Sequence, residues 1–182
     1  IYIRRWFENY SRGLPPHACA ELQRNVWSIG SHGGIIRPLV ISTISASSYQ
    51  GLGIGVEHQN LTHRSENVTS ALAVLVPLLH ALLGGAEPQP TLSEYAQHIH
   101  PPQISGNQLF EAYQDHAGPG NIDKRKMWDF HTHLADAPYE LDQLVRDSAD
   151  SEVINHLFAT ACYPEHGLPL LLYFAKAYNV DV

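Results

Sequence analysis

The chain has 182 residues, of which 44% are hydrophobic and 16% charged, the balance of a folded globular protein and not of a disordered one. Its formal net charge of −7 argues against a nucleic-acid partner, because that footprint needs a basic stripe. A membrane partner is not expected either: the longest apolar stretch, 71–83, is short for a span and is interrupted by Pro77 and His80.

The length predicts a single domain over 1–182. Its one basic cluster, Lys124-Arg125-Lys126, stands beside Asp123 and Asp129 and reads as a solvated face. Two cysteines, Cys19 and Cys162, make no disulfide framework and no C-x-x-C zinc pair. Asn9, Asn60 and Asn67 head N-x-S/T sequons, but no signal peptide is visible, so a reducing, cytoplasmic setting is expected. Ile1 falls inside an apolar-aromatic pattern and Val182 follows directly on a strong helical segment. From this the chain is expected to be a piece of a longer protein.

In chain order the pattern is helical throughout. Apolar residues at helical spacing predict a helix over 1–11, ended by Gly13 and Pro15-Pro16, and a second over 18–27. "SIGSHGGIIRP" (28–38) interrupts the apolar rhythm, either as a turn or as a loop that lets backbone approach a ligand. "PLVISTISASSY" (38–49) is rich in β-branched residues and would suit a strand, yet its leading proline and small Ser/Ala positions favour a tightly packed helix. Gly51, Gly53 and Gly55 are expected to punctuate the chain after it. The strongest helix is predicted from Ser65, a good N-cap, to the stop at Gly84-Gly85. Its all-round apolar surface marks it as a central one. Thr91 and Glu94 suggest a capping box for a short helix to His98. Further helices are expected at 105–115, 123–135, 139–147 and 151–162, with a loop at 116–122. "YPEHGLP" (163–169) reads as a turn entering a last helix that buries Leu168, Leu170, Leu171, Leu172, Phe174, Ala175 and Tyr178.

Familiar chemical signatures are scarce. His98-x-His100 and His131-x-His133 place their rings about 200° apart on a helix, so neither pair converges on one metal. There is no G-x-S-x-G elbow and no Walker loop, and Gly51-x-Gly53-x-Gly55 lacks the last glycine of a dinucleotide fingerprint. What remains is three polar stretches between apolar helices. They are Ser31-His32-Gly33-Gly34 with Arg37, Glu57-His58 with Leu61-Thr62-His63-Arg64, and Cys162-Tyr163-Pro164-Glu165-His166. Each alone suits a cap or a turn. Together they suggest one rim of a helical bundle, where ligand sites form.

On these stretches the sequence resembles the ADP-ribosylglycohydrolase family. "SHGGIIRPLV" is similar to its glycine-rich loop, with Ile36 in place of the usual methionine. "LTHRSENVTSALAVLVPLLHALLGG" resembles the T-H segment that opens a long apolar helix, with Asn67 where proline is common. "ACYPEHGLPLLLYFAKAYNVD" looks like the penultimate segment of one branch.

The resemblance implies an all-α, compact multi-helix orthogonal bundle, incomplete at both ends. It implies hydrolysis of a glycosidic bond at the ribose of ADP-ribosyl compounds through an oxocarbenium-like transition state. Two magnesium ions would assist, with ligands expected before Ile1 and after Val182 and none within this chain. Ser31, His32, Gly33, Gly34, Arg37, Thr62, His63 and Tyr163 would bind the ligand, and Glu165 and His166 would flank its leaving-group side; a metal-free enzyme on the same scaffold would instead use Glu165 or His166 as acid or base. The implied partner is an ADP-ribose-type small molecule or an ADP-ribosylated substrate. The alternative is a catalytically inactive relative that binds a nucleotide sugar or serves a structural role. Apolar faces at 65–83 and 167–178 are expected to need cover from further segments or a partner chain.

Overall fold

The structure, a computed structural model, describes residues 2–20, 30–99, 139–154 and 164–178. Among these the regular elements are all helical, in agreement with the all-α expectation. The chain divides into two compact units, Ile1–His80 and Ala81–Val182.

The first unit begins with α1 (Tyr2–Ser11), which ends where Gly13 takes φ +89°. Trp6 stacks on Tyr10 with ring centroids 5.4 Å apart, and its indole N–H donates to the Leu61 carbonyl at 2.8 Å. A 3-10 turn (Pro16–Ala18) follows, and a second one (His32–Gly34) leads into α2 (Ile36–Thr43). Helix α3 (Ser48–Asn60) starts at Ser47, whose hydroxyl accepts the Gln50 N–H at 3.2 Å. Pro38 of α2 meets Gly55 of α3, and Ser42 meets Gly51, so the two helices run antiparallel. Their seam is made of small residues. The Ser42 hydroxyl shares its proton between the carbonyls of Pro38 (2.7 Å) and Gly51 (2.8 Å), and His80 Nε2 donates to the Ser42 carbonyl at 2.9 Å.

The long helix α4 (Glu66–Leu83) crosses the unit boundary. The Ser65 hydroxyl accepts the Val68 N–H at 3.4 Å, which fits its expected capping role. Gly85, at φ +90°, closes the helix with paired bonds from its own N–H to Leu82 and from Ala86 N–H to Ala81. By length and composition this helix could cross a membrane, and 44% of it is buried inside the fold. Val68, Ala71, Leu72, Val74, Leu75, Val76 and Leu78 are all buried, whereas Leu83 at the end of the helix is exposed. Exposed apolar side chains in this unit include Ile3, Phe7 and Tyr10 on α1, Ile36 and Val40 on α2, and Ile44 just after it.

The second unit contains α5 (Pro88–Ala96), α6 (Leu141–Asp147), the single turn α7 (Asp150–Glu152) and α8 (Pro164–Ala177). Lys176 of α8 ties three helices together. Its Nζ donates to the Gln89 carbonyl at 2.7 Å, bonds the Ser93 hydroxyl and pairs with Asp142 at 2.8 Å. Those bonds from Lys176 and Ser93 hold the Asp142 carboxyl below its ordinary range. Tyr173 and Tyr178 both donate to Asp150, fastening α8 to the turn that carries it.

Several boundaries differ from the sequence pattern. Gly51, Gly53 and Gly55 do not punctuate the chain; they lie inside α3, where close packing at Gly51 and Gly55 outweighs the poor helix propensity of the three. The expected helix 38–49 is two helices joined by a turn at 44–47. Helix α5 starts at Pro88, so Thr91 is a buried interior residue and not a cap. "PEHGLP" is the first part of α8 and not a turn, since Pro164 suits a first helical position. On α8, Leu171 and Tyr178 are exposed and Tyr173 is buried in their stead. The expectations for 18–27, 105–115, 116–122, 123–135 and most of 151–162, with His100, His131, His133 and Cys162, lie wholly or largely outside the described residues.

Candidate functional site

Two of the three polar stretches belong to the first unit and meet there. The Ser31 carbonyl accepts the Gly34 N–H at 3.0 Å and the His32 carbonyl the Ile35 N–H at 2.9 Å, which coils the loop into the first turn of α2. This turn presses Gly34 onto the segment after α3. A Cβ on Gly34 would lie 2.9 Å from Val68 Cγ1 and 3.0 Å from both Cβ and Cγ of His63. Among the described glycines only Gly13 and Gly85 have positive φ, so Gly34 is required for close approach and not for its conformation.

One turn further on, Arg37 reaches back to the same segment. Its Nη2 donates to the Thr62 hydroxyl at 3.0 Å, across 25 residues of sequence, and Thr62 Oγ1 lies 2.8 Å from His63 Nδ1. The Thr62-His63 turn is itself held from beneath by Gln59, which is 1% exposed. The Gln59 amide donates to the carbonyls of His63 and Ser65, and its oxygen accepts the Thr69 hydroxyl at 2.9 Å. Arg64 donates to the His17 carbonyl at 2.6 Å and so braces the far side of the turn.

The exposures grade across the cluster. Gly33 and Arg37 are exposed, Ser31, His32 and Thr62 half-buried, and Gly34 and His63 buried. A ligand arriving from solvent therefore meets Gly33, Arg37 and the polar edge of Thr62, while the fully buried His63 ring supports them from behind. His166 is buried in α8 of the second unit and Glu165 lies in the first turn of that helix. Tyr163 and the Glu165 side chain are outside the described residues. Gln59 is the functional neighbour that motif reading passed over. Its signal was a lone amide four residues before His63, a spacing that reaches back one helical turn.

Burial, and second the Arg37 guanidinium, push His63 down from 6.5 to about 4. Above pH 6.5 the ring is neutral whether the chain is folded or unfolded, and its contribution to stability is complete. As pH falls from 6.5 toward 4 the unfolded chain takes up a proton that the folded one refuses, so stability is lost across that window. The expected loss is roughly 2–3 kcal/mol. Urea titrations at pH 7 and pH 4.5 should show it, and His63→Gln should flatten the slope. Equal slopes in both proteins would remove His63 from the account.

Among the described residues no group of three or more His, Cys, Asp or Glu is placed to hold a metal ion. The cluster offers imidazole, hydroxyl and guanidinium groups, and Ser31–Arg37 with Thr62 and His63 contains no carboxylate. That donor set does not fit magnesium, which takes oxygen ligands. No step is assigned through a metal here. No family model, curated protein or solved structure matches the chain.

Proposed function

We propose that the chain belongs to an ADP-ribosylglycohydrolase-like hydrolase, and that the Ser31–Arg37 loop with Thr62 forms its ADP-ribose-facing surface. The observation that carries this reading is the Arg37–Thr62–His63 chain, which joins two of the three family-like segments within one unit. In this reading the exposed Arg37 and Gly33 contact the ligand, His32 borders it, and Gly34 and His63 shape the floor. The carboxylates implied for magnesium come from outside the described residues. A second reading has its own support in the donor set: a cluster without a carboxylate suits a module that binds a nucleotide sugar and does not hydrolyse it.

Calorimetry with ADP-ribose, with and without magnesium, separates the two, combined with an assay for ribose release. Binding and magnesium-dependent release favour the hydrolase; binding unaffected by magnesium and without release favours the module. His32→Ala should weaken binding about tenfold, the loss of roughly one ligand hydrogen bond, while His98→Ala leaves it unchanged. No binding of ADP-ribose, or equal effects of the two substitutions, would remove the loop from the site.

A further inference from the structure

The Thr62 hydroxyl has two polar partners among the described residues, Arg37 Nη2 at 3.0 Å and His63 Nδ1 at 2.8 Å. They are not equivalent. A guanidinium has donors and no acceptor, so Thr62 Oγ1 must accept from Arg37. The hydroxyl proton then needs an acceptor of its own, and the protein offers it one, His63 Nδ1. A neutral imidazole that accepts at Nδ1 carries its proton on Nε2. In the other tautomer, or in the imidazolium, Nδ1–H would point at an oxygen already engaged by Arg37. The hydroxyl proton would then find no acceptor among the described residues and would turn to water at the half-buried edge of Thr62, giving up the bond to the ring.

We infer that Thr62 is a positioning residue that relays the fixed donor direction of Arg37 to His63 and locks that ring as its neutral Nε2–H tautomer. Hydrogen-bond direction thus runs one way, from guanidinium to hydroxyl to imidazole. The charge on Arg37 reinforces it, because it disfavours a second cation on the ring behind Thr62. With Nδ1 occupied and the ring buried, His63 takes no proton from a ligand in this state. It acts by holding Thr62, and through Thr62 the angle of Arg37. Gly34, packed on the ring carbon of His63, ties the position of the 31–34 turn to the same ring plane. The bearing of this relay on ligand binding rests on the proposed function, whereas the tautomer stands by itself.

Long-range nitrogen–proton correlation spectra of the 15N-labelled chain at pH 7 read the tautomer directly, with His63→Gln identifying the His63 signals. The expected pattern is an unprotonated Nδ1 and a protonated Nε2. Thr62→Ser should retain it, because the hydroxyl is kept, and Thr62→Val should lose it in favour of mixed tautomers. A protonated Nδ1 in the wild-type protein, or the same pattern in Thr62→Val as in wild type, would overturn the inference. Should Thr62→Val fail to fold, Thr62→Ala, which also lacks the hydroxyl and is smaller, takes its place with the same two outcomes. Calorimetry with ADP-ribose then tests the consequence: Thr62→Val should weaken binding about tenfold and Thr62→Ser by no more than about twofold. A wild-type chain that shows the tautomer and binds no ADP-ribose would refute the proposed function and leave the relay intact.

Discussion

Gly51→Ala is expected to cost the first unit about 3 kcal/mol, the upper end of the usual range of about 1–3 kcal/mol for overpacking a tight core. The added methyl would lie 2.6 Å from the Ser42 carbonyl oxygen, 3.3 Å from its carbon and 3.1 Å from His80 Nε2. Two of those atoms are backbone, so no rotamer change relieves the clash; α2 and α3 must move apart. That movement breaks the Ser42 bridge to Gly51 and strains the His80 bond that closes the seam. The same helix supplies its own controls. A methyl on Gly55 would strike the Ser42 hydroxyl, which can rotate only by giving up its bonds to Pro38 and Gly51, so Gly55→Ala should also destabilise. A methyl on Gly53 meets nothing within 4 Å, so Gly53→Ala should stabilise by up to about 1 kcal/mol through helix propensity. Urea unfolding of the three single variants checks the series. Similar midpoints for Gly51→Ala and Gly53→Ala would show that α2 and α3 are not in close contact.

That seam also marks where the sequence was legible and where it was not. Local rules located α1 and α4, because apolar spacing, the Ser65 cap and the Gly84-Gly85 stop are all encoded within a few residues. They failed on α3, since three glycines in five positions look like a breaker until a partner helix is present. The gain that keeps them helical is long-range, in the approach of Ser42 and His80, and no window of α3 contains it. Helix α5 was misread for a related reason: Thr91 and Glu94 have capping-box spacing, but Pro88 begins the helix a turn earlier and tertiary burial takes Thr91. On α8 the run of leucines drew attention from Tyr173, whose ring is buried while its hydroxyl donates to Asp150, a partner 23 residues away in the sequence. For the site, the motifs named Gly34, Arg37, Thr62 and His63, and these do converge. The motifs gave no order among them. That His63 is the floor, Thr62 the link and Arg37 the exposed tip follows from burial and donor direction, which require the fold. Asn67 shows the same limit, since its sequon is intact but its side chain is buried in the first turn of α4.

The second large effect is expected at Gln59. Gln59→Leu should cost about 2–4 kcal/mol, since it removes the bonds from one amide in a site that water does not reach. The two carbonyls that Gln59 serves keep partners within the turn, the Ser65 N–H on His63 and both the N–H and the hydroxyl of Thr69 on Ser65, which sets the upper limit. Gln59→Glu is the sharper variant. At neutral pH it places a carboxylate against the carbonyl oxygens of His63 and Ser65, where the amide had donated, so the loss should exceed that of leucine. Burial and those oxygens raise the folded pKa of the new carboxyl above its unfolded value near 4.3. The penalty is therefore complete above the folded value and shrinks as acidification protonates the group, which can then donate to one carbonyl. Relative to wild type, Gln59→Glu should thus recover as pH falls, although wild type itself loses stability in that direction through His63. Paired urea titrations at pH 7 and pH 5 check this. A difference from wild type that stays constant with pH would mean that position 59 reaches water. In that case the turn presenting Thr62 and His63 would not be held from beneath, and the rigidity assigned to the Arg37–Thr62–His63 chain would need another source.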